Sequence, residues 1–309
     1  MRTKLNPTKP ALALALTAGL LAGCSSTTTI PTASTSTSAS PTSSPTTTAA
    51  FAALESQFHA NLGLYAIDTG TGHTVAYNSD SRFAFCSTLK AFAASVLLQR
   101  DTDQQLNQVV KYTTADLLSY APITKQHVST GMPLNAIMAA AIEYSDNTAA
   151  NLMLRQIGGP SALQAALRAE GDSTTNVDST EPTVNTATPG DTRNTTTPRA
   201  WVTDLRTFAL GSALTPTRRA QLVAWLHANT TGGPYIRAAV RSGWKVGDKT
   251  GNGDYGARND IAVIWPPDNA APIVIAVLTN RGDNENATSN DALIADASKV
   301  ALQALTGQA

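Results

Sequence analysis

The chain has 309 residues, a formal net charge of zero and only 14% charged residues. The length allows one large domain or two small ones, and the absence of a basic excess or an aromatic-interleaved basic stretch argues against a nucleic-acid partner. The four histidines (His59, His73, His127, His227) are scattered without metal-ligand spacing, so no zinc site is expected.

Arg2, Lys4 and Lys9 precede an apolar run from Ala11 to Ala22 that is too short to span a bilayer unaided, the pattern of an export signal. It ends in Leu21-Ala22-Gly23-Cys24, which resembles the lipobox of bacterial lipoproteins. That resemblance implies cleavage after residue 23 and a lipidated Cys24, which would anchor the exported protein by lipid alone to the outer face of the cytoplasmic membrane, with some release. A plain signal peptide with an incidental cysteine is the alternative. Residues 25–50 are almost wholly Ser, Thr, Ala and Pro; such a composition cannot form a core and predicts a disordered tether. With Cys24 modified, Cys86 has no partner for an internal disulfide. It reads as a small buried residue beside Ser87; the competing reading, a thiol nucleophile, lacks a histidine nearby in sequence.

The globular part is expected over 51–309. Phe51, Leu54, Phe58 and Leu62 make one stripe and predict a helix over 51–62. Leu64–Asp68 and His73–Tyr77, separated by a Gly-rich turn, predict a hairpin. Helical patterns dominate from Ser87 to about Thr230, clearest at Leu134–Glu143 and Asn147–Gln156. Residues 172–198 are dense in Thr, Asn, Asp, Gly and Pro and read as a long ordered loop, a feature that is often functional. Strands follow at Trp244–Thr250, Asp260–Trp265 and Pro272–Thr279, then a helix at Asp291–Leu305. Strands at both ends with helices between predict an α/β (α+β) domain. Its sheet lobe would take about 51–82 and 230–309, and its helical lobe about 83–229.

The chemistry centres on Phe85-Cys86-Ser87-Thr88-Leu89-Lys90. If Ser87 opens the apolar helix that follows, Lys90 lies one turn behind its hydroxyl. A serine needs such a neighbour to become nucleophilic at neutral pH, and a helix N-terminus adds unpaired N–H groups and partial positive charge. Three other short motifs stand at suitable places. Ser145-Asp146-Asn147 falls between two helical segments; its hydroxyl can pass a proton and its amide can donate and accept, while Asp146 is expected to orient local backbone. Glu181 and Asn185, inside the polar loop, can share one turn and hold a water between them. Lys249-Thr250-Gly251 ends a predicted strand, where the glycine permits close backbone approach and the other two can bind a carboxylate.

Each motif alone is an ordinary short peptide. Together, in this order, they resemble the class A serine β-lactamases, whose relatives the penicillin-binding proteins share three of the motifs. The likeness extends through Leu117–Pro122, Asp146–Leu152, Thr195–Pro198 and Gly253–Gly256 and covers about residues 51–309; with the lipobox it suggests the actinobacterial-type lipoprotein form. The resemblance implies a five-stranded antiparallel sheet flanked by helices plus an all-helical lobe, with the site between them. It implies a monomer that hydrolyses penicillins and cephalosporins, confers antibiotic resistance and needs no metal or organic cofactor. Ser87 would attack the lactam carbonyl, with Lys90, or Glu181 through a water, as base. Ser145 would protonate the leaving nitrogen. The N–H groups of Ser87 and Asn252 would form the oxyanion hole, and Glu181 with Asn185 would hold the deacylating water. Lys249, Thr250 and Arg258 would meet the substrate carboxylate, Gly251 and Asn252 would also bind substrate, Tyr120 would wall the pocket, and Asn147 would bind the acylamide side chain.

Departures from the family pattern carry expectations of their own. The usual arginine and aspartate that pin the loop are replaced by Ser179 and Asn194; Thr180 stands where an aromatic is common, and Asn176 where an arginine is. A loop held by neutral hydrogen bonds and an Asp178–Arg193 pair is expected, less rigid than usual, with deacylation suffering most. Asn252 should alter substrate preference. Cys86 resembles a cysteine that some carbapenem-hydrolysing members pair near the Lys-Thr-Gly strand, but the second position is Gly253. The competing readings are a D-alanyl-D-alanine peptidase or a non-hydrolytic β-lactam-binding protein, which would lack the Glu181–Asn185 pair.

Overall fold

The computed structural model describes residues 44–307; the export signal, Cys24 and most of the tether lie outside them. α1 (Pro45–Phe58), β1 (Asn61–Asp68), β2 (Thr74–Tyr77) and β3 (Phe83–Ala84) come first. A 3-10 turn at Cys86–Thr88 leads into α2 (Leu89–Arg100), followed by α3 (Asp103–Asn107), β4 (Val109–Val110), β5 (Met132–Pro133), α4 (Leu134–Glu143), α5 (Asn147–Ile157) and α6 (Pro160–Ala169). After the polar segment come β6 (Thr195–Thr196), α7 (Pro198–Ala209), α8 (Pro216–His227), α9 (Ile236–Ala239), β7 (Lys245–Asn252), β8 (Arg258–Trp265), β9 (Ile273–Asn280) and α10 (Asp291–Thr306). No described helix is long and apolar enough to cross a membrane.

Five strands form one antiparallel sheet in the order β2-β1-β9-β8-β7. β1, from the start of the domain, pairs along its whole length with β9 from the end, so the sheet closes the chain on itself. Side chains alternate across a strand, and parity decides which core each joins. Leu62, Leu64, Ala66, Ile264, Ile273, Ile275 and Val277 pack with α1 and α10, whereas Ile261, Val263, Val274, Ala276 and Leu278 pack with the helices of the other face. Covered on both sides, β8 is apolar from Ile261 to Trp265 and β9 from Ile273 to Leu278.

Both ends of α1 differ from expectation. α1 begins at Pro45 inside the Ser/Thr tract, because Ser44 caps it by accepting the Thr47 N–H and Pro45 occupies the first turn, where its missing N–H is harmless. It ends at Phe58, because His59 turns left-handed (φ 47°). Leu62 therefore belongs to β1, with its N–H donated to Glu55 Oε1 at 2.7 Å. α7 lies on β1, β8 and β9, and α8 on β7, so both cover the sheet, while α4, α5 and α6 gather around α2.

α2 is buried along ten of its residues, Leu89 to Leu98, and a helix apolar on all sides belongs inside a core. Its start is fixed by Trp201 of α7, fully buried, whose ring centroid lies 4.2 Å from that of Phe92 and 5.5 Å from that of Phe85. The indole N–H donates to Thr88 Oγ1 at 2.7 Å, and that hydroxyl donates to the Phe85 carbonyl at 2.7 Å. The residue beside Thr88 is thereby held at the helix entrance.

Candidate active site

Ser87 sits in the 3-10 turn at the mouth of α2. The preceding Cys86 stands on left-handed backbone (φ 50°), and Ser145 does too (φ 56°). Non-glycine residues in that region are uncommon and gather where a site requires them. Lys90 Nζ lies 2.8 Å from Ser87 Oγ, as the three-residue spacing predicts. It also meets the Ser145 carbonyl (2.8 Å), Ser145 Oγ (3.3 Å), Asn147 Oδ1 (2.6 Å) and Glu181 Oε1 (2.9 Å). An ammonium has three hydrogens, so Lys90 can exchange partners without moving. Burial pulls its pKa below the usual lysine value, against the opposing charge of Glu181.

Glu181 is 5% exposed and closes the arrangement from the loop. Its Oε1 accepts the Ser87 hydroxyl at 3.1 Å, and its Oε2 accepts the Asn185 amide N–H. Asn185 Oδ1 is buried and has no hydrogen-bond partner among the described residues. The backbone of Glu181 is gripped by Asn151 of α5, which accepts its N–H at 2.8 Å and donates to its carbonyl at 2.9 Å. Thirty residues separate this pair, and only folding brings them together.

The neck of the loop is tied mainly through the neutral side chains of Asn194 and Ser179, and the Asp178 carboxylate adds one contact, its Oδ2 accepting the Asn194 N–H at 3.3 Å. Asn194 Oδ1 accepts the N–H groups of Asp178 (3.0 Å) and Ser179 (2.9 Å), and its Nδ2 donates to Ser179 Oγ at 3.2 Å. Asn194 is also left-handed (φ 54°), a conformation Asn tolerates well. Asn176 adds a bond from its Nδ2 to the Thr192 carbonyl at 3.0 Å, while Thr180 is exposed. The expected Asp178–Arg193 pair does not form: Arg193 turns to Asp191 two residues away, at 2.6 Å, because an aspartate that close needs no loop ordering to be reached.

Asp146 is fully buried and organises backbone, as expected: it accepts the N–H groups of Ile123, Thr124 and Ala149 and the Thr124 hydroxyl, all at 2.9–3.0 Å. The Asn147 N–H donates to the Tyr120 carbonyl at 2.9 Å, which sets the half-exposed Tyr120 ring at the rim. Strand β7 runs on past Gly251 to Asn252. A Cβ at Gly251 would lie 2.9 Å from the Phe85 carbonyl, so the glycine does permit the close approach. Lys249 is fully buried behind the cleft wall, its Nζ donating to Ser145 Oγ (3.1 Å) and the Thr250 carbonyl (2.8 Å). Burial, and then the positive charge of Lys90, lower its pKa to about 7.

These residues border a cleft of about 490 Å³ whose walls include Ser87, Tyr120, Ser145, Asn147, Asn185, Thr250, Gly251, Asn252 and Arg258. Lys90 and Glu181 lie in a smaller space beside it, with Cys86 and Val184. Arg258 Nε is 2.9 Å from Asp291 Oδ1, a charge contact without hydrogen-bond geometry, and the guanidinium stands 5.4 Å from the Tyr235 ring centre. Burial pushes Tyr235 up to about 12, so its phenol stays neutral. Sequence reasoning missed Thr231, Tyr235 and Asp254 in the cleft wall, and Asn151 behind Glu181. Thr231 Oγ1 meets Thr250 Oγ1 at 2.6 Å and Asn229 Oδ1 at 2.8 Å, and Asn229 Nδ2 reaches Asp248 Oδ2 at 2.7 Å. No short motif marks that chain of contacts. Among the described residues Cys86 is a free, buried thiol, raised by burial, and a Cβ at Gly253 would lie 2.8 Å from its sulfur. Also among them, no group of three or more His, Cys, Asp or Glu converges to hold a metal ion.

Residues 46–305 match the beta-lactamase enzyme family. The chain is 56% identical over 255 residues to a beta-lactamase of Amycolatopsis lactamdurans, covering 82% of this chain and 84% of that one. It is 52% identical over 255 residues to a beta-lactamase of Bacillus licheniformis, covering 82% of each. The crystal structure of a class A beta-lactamase from Clostridium kluyveri superposes with a TM-score of 0.81 at 48% identity, covering 83% of this chain and 97% of that one. A buried serine–lysine–glutamate cluster at the edge of a five-stranded antiparallel sheet, in a chain this similar throughout its domain, has one reading: the protein belongs to the beta-lactamase enzyme family, in its class A serine branch.

Proposed function

We propose that Ser87 is the residue acylated by the β-lactam and that Glu181 drives release of the acyl group. A class A enzyme opens the lactam ring through a serine acyl-enzyme; the assignment of each step to a residue is our reading. The observation that carries it is the three-way contact of Ser87 Oγ, Lys90 Nζ and Glu181 Oε1, every pair within 3.1 Å. With Lys90 donating to Ser87 Oγ, the serine proton points at Glu181. With Lys90 neutral, its lone pair is equally close. Either base is within reach; burial lowers the Lys90 pKa, which favours its neutral form, while the charge of Glu181 opposes that.

Both lysines approach Ser145 Oγ as donors, so the hydroxyl hydrogen of Ser145 is left to point into the cleft, toward a leaving nitrogen. The N–H groups of Ser87 and Asn252 serve as the oxyanion hole, a contribution of roughly 3–4 kcal/mol per donor in acyl-transfer enzymes. Asn185 supports the hydrolytic step: one end holds Glu181, and the unpartnered buried Oδ1 offers an acceptor for a water hydrogen. Thr250, Gly251, Asn252 and Arg258, backed by the charge of Lys249, receive the substrate carboxylate; Asn147 receives the acylamide and Tyr120 walls the pocket. Penicillins and cephalosporins fit this polar cleft. Cys24 lipidation, an envelope location and a monomeric state complete the proposal. A Cys24→Ala variant that still partitions with membranes would refute the anchor.

The test is a peptide map after mixing with a slowly hydrolysed cephalosporin. The expected adduct is on Ser87, with one acyl group per chain; an adduct on Cys86, or none during turnover, would refute the assignment.

A further inference from the structure

Asp204 of α7 and Asp172, the first residue of the long polar loop, are 2% and 6% exposed. Each has an Oδ2 atom that is buried without a partner among ordinary donors. Asp172 uses its other oxygen to accept the N–H groups of Thr174 (2.7 Å) and Thr175 (3.0 Å). Two carboxylates cannot both ionise at close quarters in a dry interior, and the usual solution is one shared proton. Burial first, then the charge of Asp172 and a hydrogen bond to it, push Asp204 up to about 9; Arg168 of α6 pulls the other way, and Glu170 at the end of that helix adds to the rise.

The pair stands where both legs of the loop meet the helices. Thr175 Oγ1 and Thr196 Oγ1 share a hydrogen bond of 2.7 Å, the Asn176 N–H donates to the Thr195 carbonyl at 2.9 Å, and Arg168 ties the carbonyls of Asp172 and Thr175. What happens at Asp172 is therefore passed to the leg that leads to Glu181.

We infer that Asp204 is a positioning residue of this enzyme: its protonated carboxyl donates to Asp172 and holds the root of the loop that carries Glu181. The claim rests on the deacylating role proposed for Glu181, which Asp204 serves without touching substrate. When the proton leaves, two negative charges face each other, with Arg168 3.8 Å from Asp172 Oδ1 and Arg82 bound to the Thr174 carbonyl, and the loop root loosens.

Comparing the protein with Asp204→Asn tests this, since an amide can donate to Asp172 at every pH. An aspartate whose pKa is raised on folding loses stabilisation as pH climbs from its unfolded value of about 4 toward its folded one. The Tm of Asp204→Asn minus that of the unaltered protein should thus grow from pH 5 to pH 9 and level off above it. The ratio of kcat at pH 10 to kcat at pH 7.5, for a good penicillin, should be up to about tenfold higher in the variant. Lysine titrations are common to both proteins and cancel. Asp204→Ser, which is smaller and also neutral, replaces the amide if the latter folds poorly. A Tm difference that ignores pH, or superimposable kcat profiles, would overturn the inference. Loss of all turnover in both proteins would instead strike the catalytic assignment, leaving the Tm comparison to decide on Asp204.

Discussion

Asn194 and Ser179 face each other across the neck of the catalytic loop and exchange two hydrogen bonds, one from the Ser179 N–H to Asn194 Oδ1 at 2.9 Å and one from Asn194 Nδ2 to Ser179 Oγ at 3.2 Å. No charge takes part. Because neither residue is ionised, neither has to be desolvated as an ion, and removing one leaves no buried charge unpaired.

Asn194→Ala removes three hydrogen bonds, each worth about 1 kcal/mol net. The loop should loosen around Glu181 while Ser87 and Lys90 stay in place. Deacylation should slow by roughly 10–100-fold and acylation by much less, on the order of 1.4 kcal/mol per factor of ten. Rapid-mix kinetics with a good penicillin should show a burst that the unaltered enzyme shows less strongly; equal slowing of both steps would contradict this.

Lys249, with a pKa of about 7, is protonated below neutrality and increasingly neutral above it. In the proposed role its charge backs the site for the substrate carboxylate, so kcat/KM for a penicillin should begin to fall as pH rises past about 7. Lys249→Arg keeps its charge throughout and should move that limb upward. The same depressed pKa means that the folded protein binds fewer protons here than the unfolded chain between pH 7 and the ordinary lysine value, so the contribution of Lys249 to stability rises with pH over that window. The measurement is a pH series of kcat/KM on both proteins.

Asp146→Ala strips a buried carboxylate from three N–H groups and one hydroxyl. Orphaned buried donors and the lost N-cap of α5 together should cost about 3 kcal/mol or more, a fall in Tm of about 6–12 °C in a domain of this size. Thermal unfolding followed by circular dichroism measures it.

Much of the fold was legible because parity and period are local properties. The alternation that sends Ile273, Ile275 and Val277 to one core and Val274, Ala276 and Leu278 to the other is written in β9 itself, whereas the meeting of the four short motifs was expected from the family resemblance alone. The misreadings share a cause. Leu62 fits the helical stripe of Phe51, Leu54 and Phe58 as well as the strand parity of Leu64 and Ala66, and the contacts that decide it reach Glu55 from Leu62 and from Tyr77. Ser44 and Pro45 are good helix-start residues hidden in a tract of similar composition. Asn151 and Thr231 belong to the site only through tertiary contacts, and Arg193 had two aspartates within reach, of which the nearer in sequence won.

In the proposed roles Ser87 forms the ester and Glu181 activates the water that breaks it. Glu181→Gln, mixed with one equivalent of a good penicillin and followed by intact-protein mass spectrometry, tests these roles most directly. A covalent adduct on Ser87 should accumulate to near one per chain and persist while turnover falls by at least about a hundredfold. Full-speed hydrolysis with no trapped adduct would contradict them.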